Sequence, residues 1–232
     1  PANYVYVSEK NNSIKGSWTI DTALSPPPAF LAPIEKAEDG ERKNLYVQST
    51  NGSLNVKVRL ISSQDVVRRR AALYCASANG NVQVYVVSYH TDTTFQAFHL
   101  VARSANGSIR VYLPRDFNGP IEHHTKNGTT VFSPGIRPNV QTFSSTRGEG
   151  KSFVGKIDDG SEIESASDWT GDHLVISSNN GSLYIQYVDE EKLEPAFVKT
   201  IKGWFHSNAE TKQLLGEANR IMKDGIGGRR HY

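Results

Sequence analysis

Cysteine and long apolar runs are scarce in this 232-residue chain, and each scarcity excludes a class of protein. The single cysteine, Cys75, excludes an intrachain disulfide. Its apolar, strand-like neighbours predict a buried, inert thiol, with a catalytic nucleophile as the alternative. No apolar run reaches the roughly 18 residues that a membrane-spanning helix needs. The lack of disulfides and of a visible signal peptide favours the cytoplasm, with secretion as the alternative.

An excess of charge of one sign is also missing. The chain has 26 Lys and Arg against 24 Asp and Glu, and this balance argues against a nucleic-acid partner. The run Arg68-Arg69-Arg70 predicts a solvated face or turn, with a phosphate-binding patch as the alternative. Hydrophobic residues make up 37% of the chain, which is typical of a globular protein with a sizeable core.

What the chain does contain is an eight-residue motif that recurs along the sequence. Its pattern is Ser-x-Asn-Gly-[Ser/Asn] followed by alternating apolar residues. The Asn-Gly pairs that begin at 51, 79 and 106 are 28 and 27 residues apart, and the next begins 74 residues later, close to three units. Such a period indicates a repeat fold. Clear copies lie at 49–56, 77–84, 104–111 and 178–185, and weaker ones at 10–17 and 125–132.

The chemistry of the repeat predicts strands joined by tight corners. Asn-Gly accepts positive φ at low cost, so each pair is expected to turn the chain sharply. After the first corner Leu54, Val56, Val58 and Leu60 alternate with polar residues. Alternation of this kind places one apolar face toward a core.

The predicted fold class is all-β, and two architectures fit it. One is a single-stranded β-solenoid in which each Asn-Gly is a corner, and the other is a repeat-built β-sandwich of hairpins. The near-constant period favours the solenoid. The predicted domains are a β-repeat domain at 1–206, with a Pro-rich insert at 22–43 and an irregular loop at 114–150, then an amphipathic helix at 207–224 packing on it and a flexible tail at 225–232.

Short motifs carry a family resemblance. SANGSIRVYLPRDFNG and DHLVISSNNGSLYI each combine a strand, an Asn-Gly corner and a further strand, and the first continues into Leu113-Pro114 and Gly119. Together with KSFVGKI at 151–157, they resemble the adhesin-type "toastrack" family of single-stranded β-solenoids, over about residues 44–190. The whole chain is most similar to fungal relatives of unknown function. The resemblance implies a fold and little about chemistry.

Candidate catalytic residues concentrate in the predicted loop at 114–150. Glu122, His123 and His124 form a cluster there, with His99 on a nearby strand, and acid–base catalysis uses such side chains. As metal ligands, the histidines of the cluster would need distant partners such as Asp172, His173 or Asp116. Adjacent histidines on a strand point to opposite faces, so no metal site and no cofactor are predicted.

Candidate binding residues are Arg115, Asp116, Tyr112 and Tyr184. Arg115-Asp116 is expected to bind an anion or to form a local salt bridge. Outward tyrosines on stacked strands would form a ribbon that binds sugar or protein, with ordinary β-propensity as the alternative. The tyrosines in question are 46, 85, 112 and 184.

Two functions remain open from the sequence. The first is a non-catalytic β-repeat module for binding or assembly that recognises a carbohydrate or protein surface. The second is a small hydrolase, lyase or isomerase that uses the His and Glu residues of 114–150. The partner would be a protein, a carbohydrate or a small molecule, and a homo-oligomer is left open.

Overall fold

A computed structural model describes residues 1–32, 41–61, 70–88, 96–156 and 169–190 of the chain. The predicted C-terminal helix at 207–224 and the tail at 225–232 lie outside the described residues. So does the middle of the Pro-rich insert at 22–43, of which the described part contains a 3-10 turn at Pro28–Phe30.

The described residues form fourteen β-strands and three short 3-10 turns. The predicted all-β class is therefore confirmed. The strands are β1 (Val5–Glu9), β2 (Ile14–Asp21), β3 (Leu45–Ser49), β4 (Leu54–Ile61), β5 (Ala71–Ser77), β6 (Val82–Ser88), β7 (Phe98–Ser104), β8 (Ile109–Leu113), β9 (Gly119–Thr125), β10 (Thr130–Phe132), β11 (Val140–Thr146), β12 (Glu149–Val154), β13 (His173–Ser178) and β14 (Leu183–Tyr187).

The strands form two sheets, and the chain passes from one to the other at each repeat corner. The eight-stranded sheet has the order β1-β3-β5-β7-β13-β9-β12-β11, and the six-stranded sheet has the order β10-β14-β8-β6-β4-β2. Neighbours within each sheet are parallel, except for β9, β12 and β11, which pair antiparallel. We call one strand of the larger sheet, its corner and the following strand of the smaller sheet a coil.

Strict alternation builds the core between the sheets. Leu54, Val56, Val58 and Leu60 of β4 are all buried, as the sequence predicts, and the residues between them are half-buried on the other face. Parallel register places each apolar residue beside its equivalent in the next coil, for example Val56 beside Val84. The result is one continuous apolar cluster that runs through every coil.

The corners use glycine for a reason that differs from the predicted one. Among the described residues, positive φ occurs at Tyr4, Gly148 and Gly155, and the repeat glycines are not among them. Instead, a Cβ on Gly80 would lie well inside 3.0 Å of the carbonyl oxygen of Gly52 in the preceding coil. Glycine is required because the backbones of stacked corners approach too closely for a side chain.

The other residues of the repeat join the coils. Each corner asparagine donates its amide to the asparagine of the preceding coil at 2.7–2.8 Å, in a ladder of residues 127, 180, 106, 79, 51 and 11. The buried hydroxyl that precedes each Asn-Gly donates to the carbonyl of the preceding coil, as Ser104 does to Gly80 at 2.9 Å. The repeated sequence is therefore architecture, because its corner asparagines and buried hydroxyls bond to neighbouring coils.

The spatial order of the coils departs from the chain order. Strand β13 lies between β7 and β9, and β14 lies between β8 and β10. The corner at 178–182 therefore stacks directly on the corner at 104–108, and Ser178 donates to the carbonyl of Gly107. The 74-residue interval does not represent three stacked units; it is a return of the chain to the next position in the stack.

Residues 114–150 correct another expectation. They contain β9, β10, β11 and the start of β12, instead of an irregular loop. Strand β11 was not recognised in the sequence because it lacks alternating apolar residues. It is an edge strand whose side chains from Gln141 onward are exposed. An edge strand with a solvated face needs no apolar residue at every second position.

Candidate functional site

The outer face of the eight-stranded sheet brings three of the candidate residues into one row. His173 of β13 lies beside His99 of β7 in parallel register, and their rings stack with centroids 4.7 Å apart. On its other side His173 Nε2 lies 3.1 Å from Glu122 Oε1. Lys151 Nζ is 3.8 Å from Glu122 Oε2. The sequence named His173 only as a distant metal partner of the cluster at 122–124, whereas the structure places it between Glu122 and His99.

Burial favours the neutral form of His173, the central residue of this row. The side chain of His173 is only 9% exposed, and this burial lowers its pKa, although Glu122 opposes the shift. A lowered pKa keeps the imidazole neutral at neutral pH, so His173 can accept a proton while Glu122 fixes its orientation. The geometry is that of a histidine–carboxylate dyad.

His124 lies apart from that dyad. Its Nδ1 is 2.8 Å from Glu149 Oε1 at an exposed position on the same outer face. A depression of about 360 Å³ is lined by Glu122, His123, His124, Glu149 and Lys151. Because His124 is about half exposed, solvent screens its interaction with Glu149.

His123 points the opposite way along β9, as adjacent residues on a strand must. Its Nδ1 lies 3.0 Å from Thr130 Oγ1, and its ring meets the ring of Phe132 edge-on at 6.0 Å. Burial lowers the pKa of His123, which favours the neutral ring. A Cβ on Gly150 of the neighbouring strand would lie well inside 3.0 Å of Nε2 of His123, so a side chain there would displace the imidazole.

A pocket of about 330 Å³ opens beside His123. It lies where β12 and β11 extend the larger sheet beyond β10, the last strand of the smaller sheet. Phe132 and Glu149 complete its wall, and no Lys or Arg is found among the described residues that line it. Its other polar walls are hydroxyl groups, from Thr125, Thr129, Thr130, Thr142, Ser145, Thr146 and Ser152.

Asp172 is the most perturbed carboxyl group in the described part of the chain. It is fully buried, and its two oxygens accept the backbone N–H groups of Phe98 and Asn118, each at 3.1 Å. Burial raises its pKa to about 8 despite those two donors, and the negative charge of Asp116 adds to the rise. Its contacts are with backbone at the start of β7 and before β9, which gives it a structural role.

The predicted binding residues are mostly engaged with other parts of the protein. Arg115 Nε donates to both carboxylate oxygens of Asp189, at 2.9 and 3.0 Å, so its salt bridge joins residues 74 positions apart and is not the local pair with Asp116 that the sequence suggested. Asp116 lies near Asp172. Tyr184 is half-buried under the guanidinium of Arg110, 4.9 Å from its ring centroid.

The outward tyrosines are packed more tightly than a binding ribbon would be. Tyr112 and Tyr85 are 1% and 4% exposed and stack 4.0 Å apart, so the prediction of an accessible Tyr112 is wrong. Gln83 donates to both hydroxyl groups. On the larger sheet, Tyr46 is stacked at 4.9 and 4.8 Å between Tyr6 and Tyr74. Stacked rings cover each other's faces, which a bound sugar would need.

Metal and thiol chemistry find little support in the described ranges. No group of three or more His, Cys, Asp or Glu side chains there could hold a metal ion. Cys75 is fully buried in the core, and this burial raises the pKa of its thiol to about 12, as expected of an inert cysteine. No helix in these ranges is long and apolar enough to cross a membrane.

Fold and pockets together define an all-β protein of two packed, largely parallel sheets with polar depressions on and beside the larger sheet. A family model described as "Domain of unknown function (DUF7330)" matches residues 3–190, and the chain belongs to that family. Neither the curated proteins nor the solved structures gave a match.

Proposed function

We propose that the protein is a non-catalytic binding module that recognises a neutral carbohydrate in the pocket beside His123. The observation that carries this proposal is the composition of the pocket: hydroxyl groups, a neutral imidazole and one aromatic ring around a volume of about 330 Å³. That volume lies at the lower end of the range of small-ligand sites.

The chemistry of the pocket fits a sugar better than an ion. Threonine and serine hydroxyls both donate and accept hydrogen bonds, which matches the hydroxyl groups of a carbohydrate. The ring of Phe132 offers an apolar surface for the C–H face of a sugar. Glu149 adds an acceptor at the wall, and the lack of a lining cation in the described ranges disfavours an anionic ligand.

The architecture supports the same reading. We infer that the stacked coils form a β-solenoid of two strands per coil, because successive corners sit in parallel register instead of closing hairpins. This agrees with the resemblance to the "toastrack" family. In that architecture β11 and β12 interrupt the repeat, and the proposed site lies where the repeat is interrupted.

The proposal is tested with adjacent histidines as a matched pair. His123→Gln removes the imidazole from the pocket, and His124→Gln removes an exposed one from the same strand. Wild type and variants are screened on an array of neutral mono- and oligosaccharides, and any sugar that binds is then titrated by calorimetry. We expect His123→Gln to weaken binding about tenfold or more, because a ligand group loses its buried partner. Thr142→Val, which keeps the shape of its side chain, should also weaken binding.

Equal loss in His123→Gln and His124→Gln would contradict the proposal. So would an array on which the folded wild-type protein retains no sugar. Circular dichroism and thermal melting of each variant separate loss of binding from loss of fold.

A second candidate function is acid–base catalysis, and the dyad of His173 and Glu122 favours it. The neutral His173 would take a proton from a substrate, and Glu122 would hold the imidazole in position at 3.1 Å. A panel of chromogenic esters and glycosides tests this with wild type and Glu122→Gln, and with Glu9→Gln at the exposed end of β1 as a control. Turnover that is lost only in Glu122→Gln would support an enzyme. Equal background rates in all three proteins would exclude hydrolysis of these substrates by the dyad.

A further inference from the structure

A wide cleft lies at the other end of the larger sheet and carries positive charge. Its volume is about 710 Å³. Arg42, Lys43 and Arg70 line it, against the single carboxylate of Glu41. The cleft is separate from the pocket beside His123, with which it shares no lining residue.

A small residue forms the floor of this cleft. Ala72 of β5 lies on the outer face between Asn44 and His99, its neighbours in the adjoining strands. Asn44 accepts the backbone N–H of Ala72 through its side-chain oxygen at 2.7 Å, which fixes this part of the floor. The methyl group of Ala72 leaves a depression that a larger side chain would fill.

Arg70 stands two residues before Ala72 and so projects on the same side of the strand. One of its guanidinium nitrogens donates to the carbonyl of Trp169 at 2.8 Å. An arginine side chain has five N–H donors, so most of those on Arg70 have no acceptor among the described residues. Arg70 is half-buried, and this burial lowers its pKa, although the nearby carboxyl of Asp172 opposes the shift. A desolvated guanidinium with unused donors is suited to bind an oxyanion.

The rim of the cleft is held in a strained conformation. Tyr4 has a φ of 58°, in the left-handed region that residues other than glycine rarely adopt. Asn3 holds it there: its side-chain oxygen accepts the N–H of Tyr4 at 2.9 Å and the amide of Asn44 at 2.7 Å. Backbone strain of this kind persists only where the surroundings enforce it, and such residues concentrate at binding sites.

We propose that this cleft binds a small molecule that carries phosphate or carboxylate groups, with Arg70 as its main oxyanion ligand. Arg42 and Lys43 supply further positive charge at the wall, and the asparagine network keeps the rim in place. The volume of the cleft exceeds what one inorganic anion fills, so the anionic group is one part of a larger ligand.

The test uses inorganic phosphate and citrate as probes, which distinguish phosphate from carboxylate recognition. Thermal shift and isothermal titration are measured for wild type, Arg70→Gln and Arg110→Gln. Arg110 is the control because it is an exposed arginine on the smaller sheet, where it stacks on Tyr184. We expect saturable stabilisation of wild type and of Arg110→Gln by at least one probe. Arg70→Gln should bind that probe at least tenfold more weakly.

A second variant keeps the test decisive if Arg70→Gln folds poorly. Ala72→Leu fills the floor without touching the charge, and it should abolish binding while Arg70 remains. Sodium chloride at matched ionic strength must fail to reproduce the stabilisation. The proposal is overturned if neither probe binds, if Arg70→Gln and Arg110→Gln bind equally, or if sodium chloride stabilises as much as the probes do.

Discussion

The Cβ position of Gly80 points at the carbonyl oxygen of Gly52, and the same relationship joins each later corner of the stack to the one before it. The first corner is the exception, since Asn12 occupies the glycine position there. Ser49 donates to the carbonyl of Asn12 just as Ser77 donates to that of Gly52. A side chain is tolerated at Asn12 because no coil of the described chain lies in front of it.

This relationship predicts a large difference between two single substitutions. Gly80→Ala places a methyl group against backbone that cannot move without disturbing two coils. We expect a loss of about 1–3 kcal/mol of unfolding free energy, measured by urea denaturation. Asn12→Ala at the first corner should change it by less than about 0.5 kcal/mol. Similar losses for both variants would mean that the corners are not packed as described.

The ladder of buried hydroxyls predicts a second contrast, between neighbours in β13. Ser178 is 1% exposed and donates to Gly107, whereas Ser177 lies half-buried on the outer face, and its hydroxyl has no hydrogen bond to a described residue. Ser178→Ala should lower the free energy of unfolding by about 1 kcal/mol or more, since it leaves a buried carbonyl without that donor. Ser177→Ala should be nearly neutral in the same denaturation experiment.

Asp172 predicts a pH dependence of stability with a definite sign. Its pKa is about 8 in the folded protein against an ordinary 3.8, so the native state keeps a proton that the unfolded chain loses. The contribution of this group to stability therefore falls as pH rises from about 4 to about 8. Asp172→Asn cannot titrate and should lack this part of the slope, whereas Glu9→Gln at the exposed end of β1 should retain it. Unfolding free energies at several pH values in that window give the comparison. Parallel slopes for wild type and Asp172→Asn would contradict the prediction.

Cys75 predicts a reactivity that reports on global unfolding. The thiol is fully buried and its pKa is about 12, so a thiol reagent should not label the native protein at neutral pH. Labelling should become complete in urea, with a midpoint equal to that of circular dichroism. Because the chain has no other cysteine, the labelling has a single source. Rapid labelling under native conditions would show that the coil containing β5 opens locally.

The local rules of the coil could be predicted from the sequence, because they depend on neighbouring residues. The alternation of β4 and the turn at each Asn-Gly are of this kind. The reason for glycine was wrong, because close approach to Gly52 is a contact between residues far apart in the chain. The burial of Tyr112 was missed for the same reason, since its ring is covered by Tyr85 of another coil.

The candidate sites were predictable only in part. Glu122 and His99 were recognised as chemically capable, but their connection through His173 depends on the placement of β13 beside β7. The pocket of His123 depends on the hairpin of β11 and β12, whose polar strands lack an apolar pattern. Arg70 was read first as part of a solvated basic run, because charge alone does not reveal how much of a guanidinium is desolvated.

The position of β13 and β14 has a consequence for how the protein is made. While the ribosome has synthesised only residues 1–156, β7 and β8 can pair with earlier coils, but β9 and β10 have no described neighbour through which to join them. The segment from β13 to β14 supplies that neighbour on both sides at once. Both sheets therefore become continuous only after Tyr187 has left the exit tunnel. The first coils can form before β13 and β14 are synthesised, but the part that carries the pocket of His123 can be completed only after β14 has been synthesised.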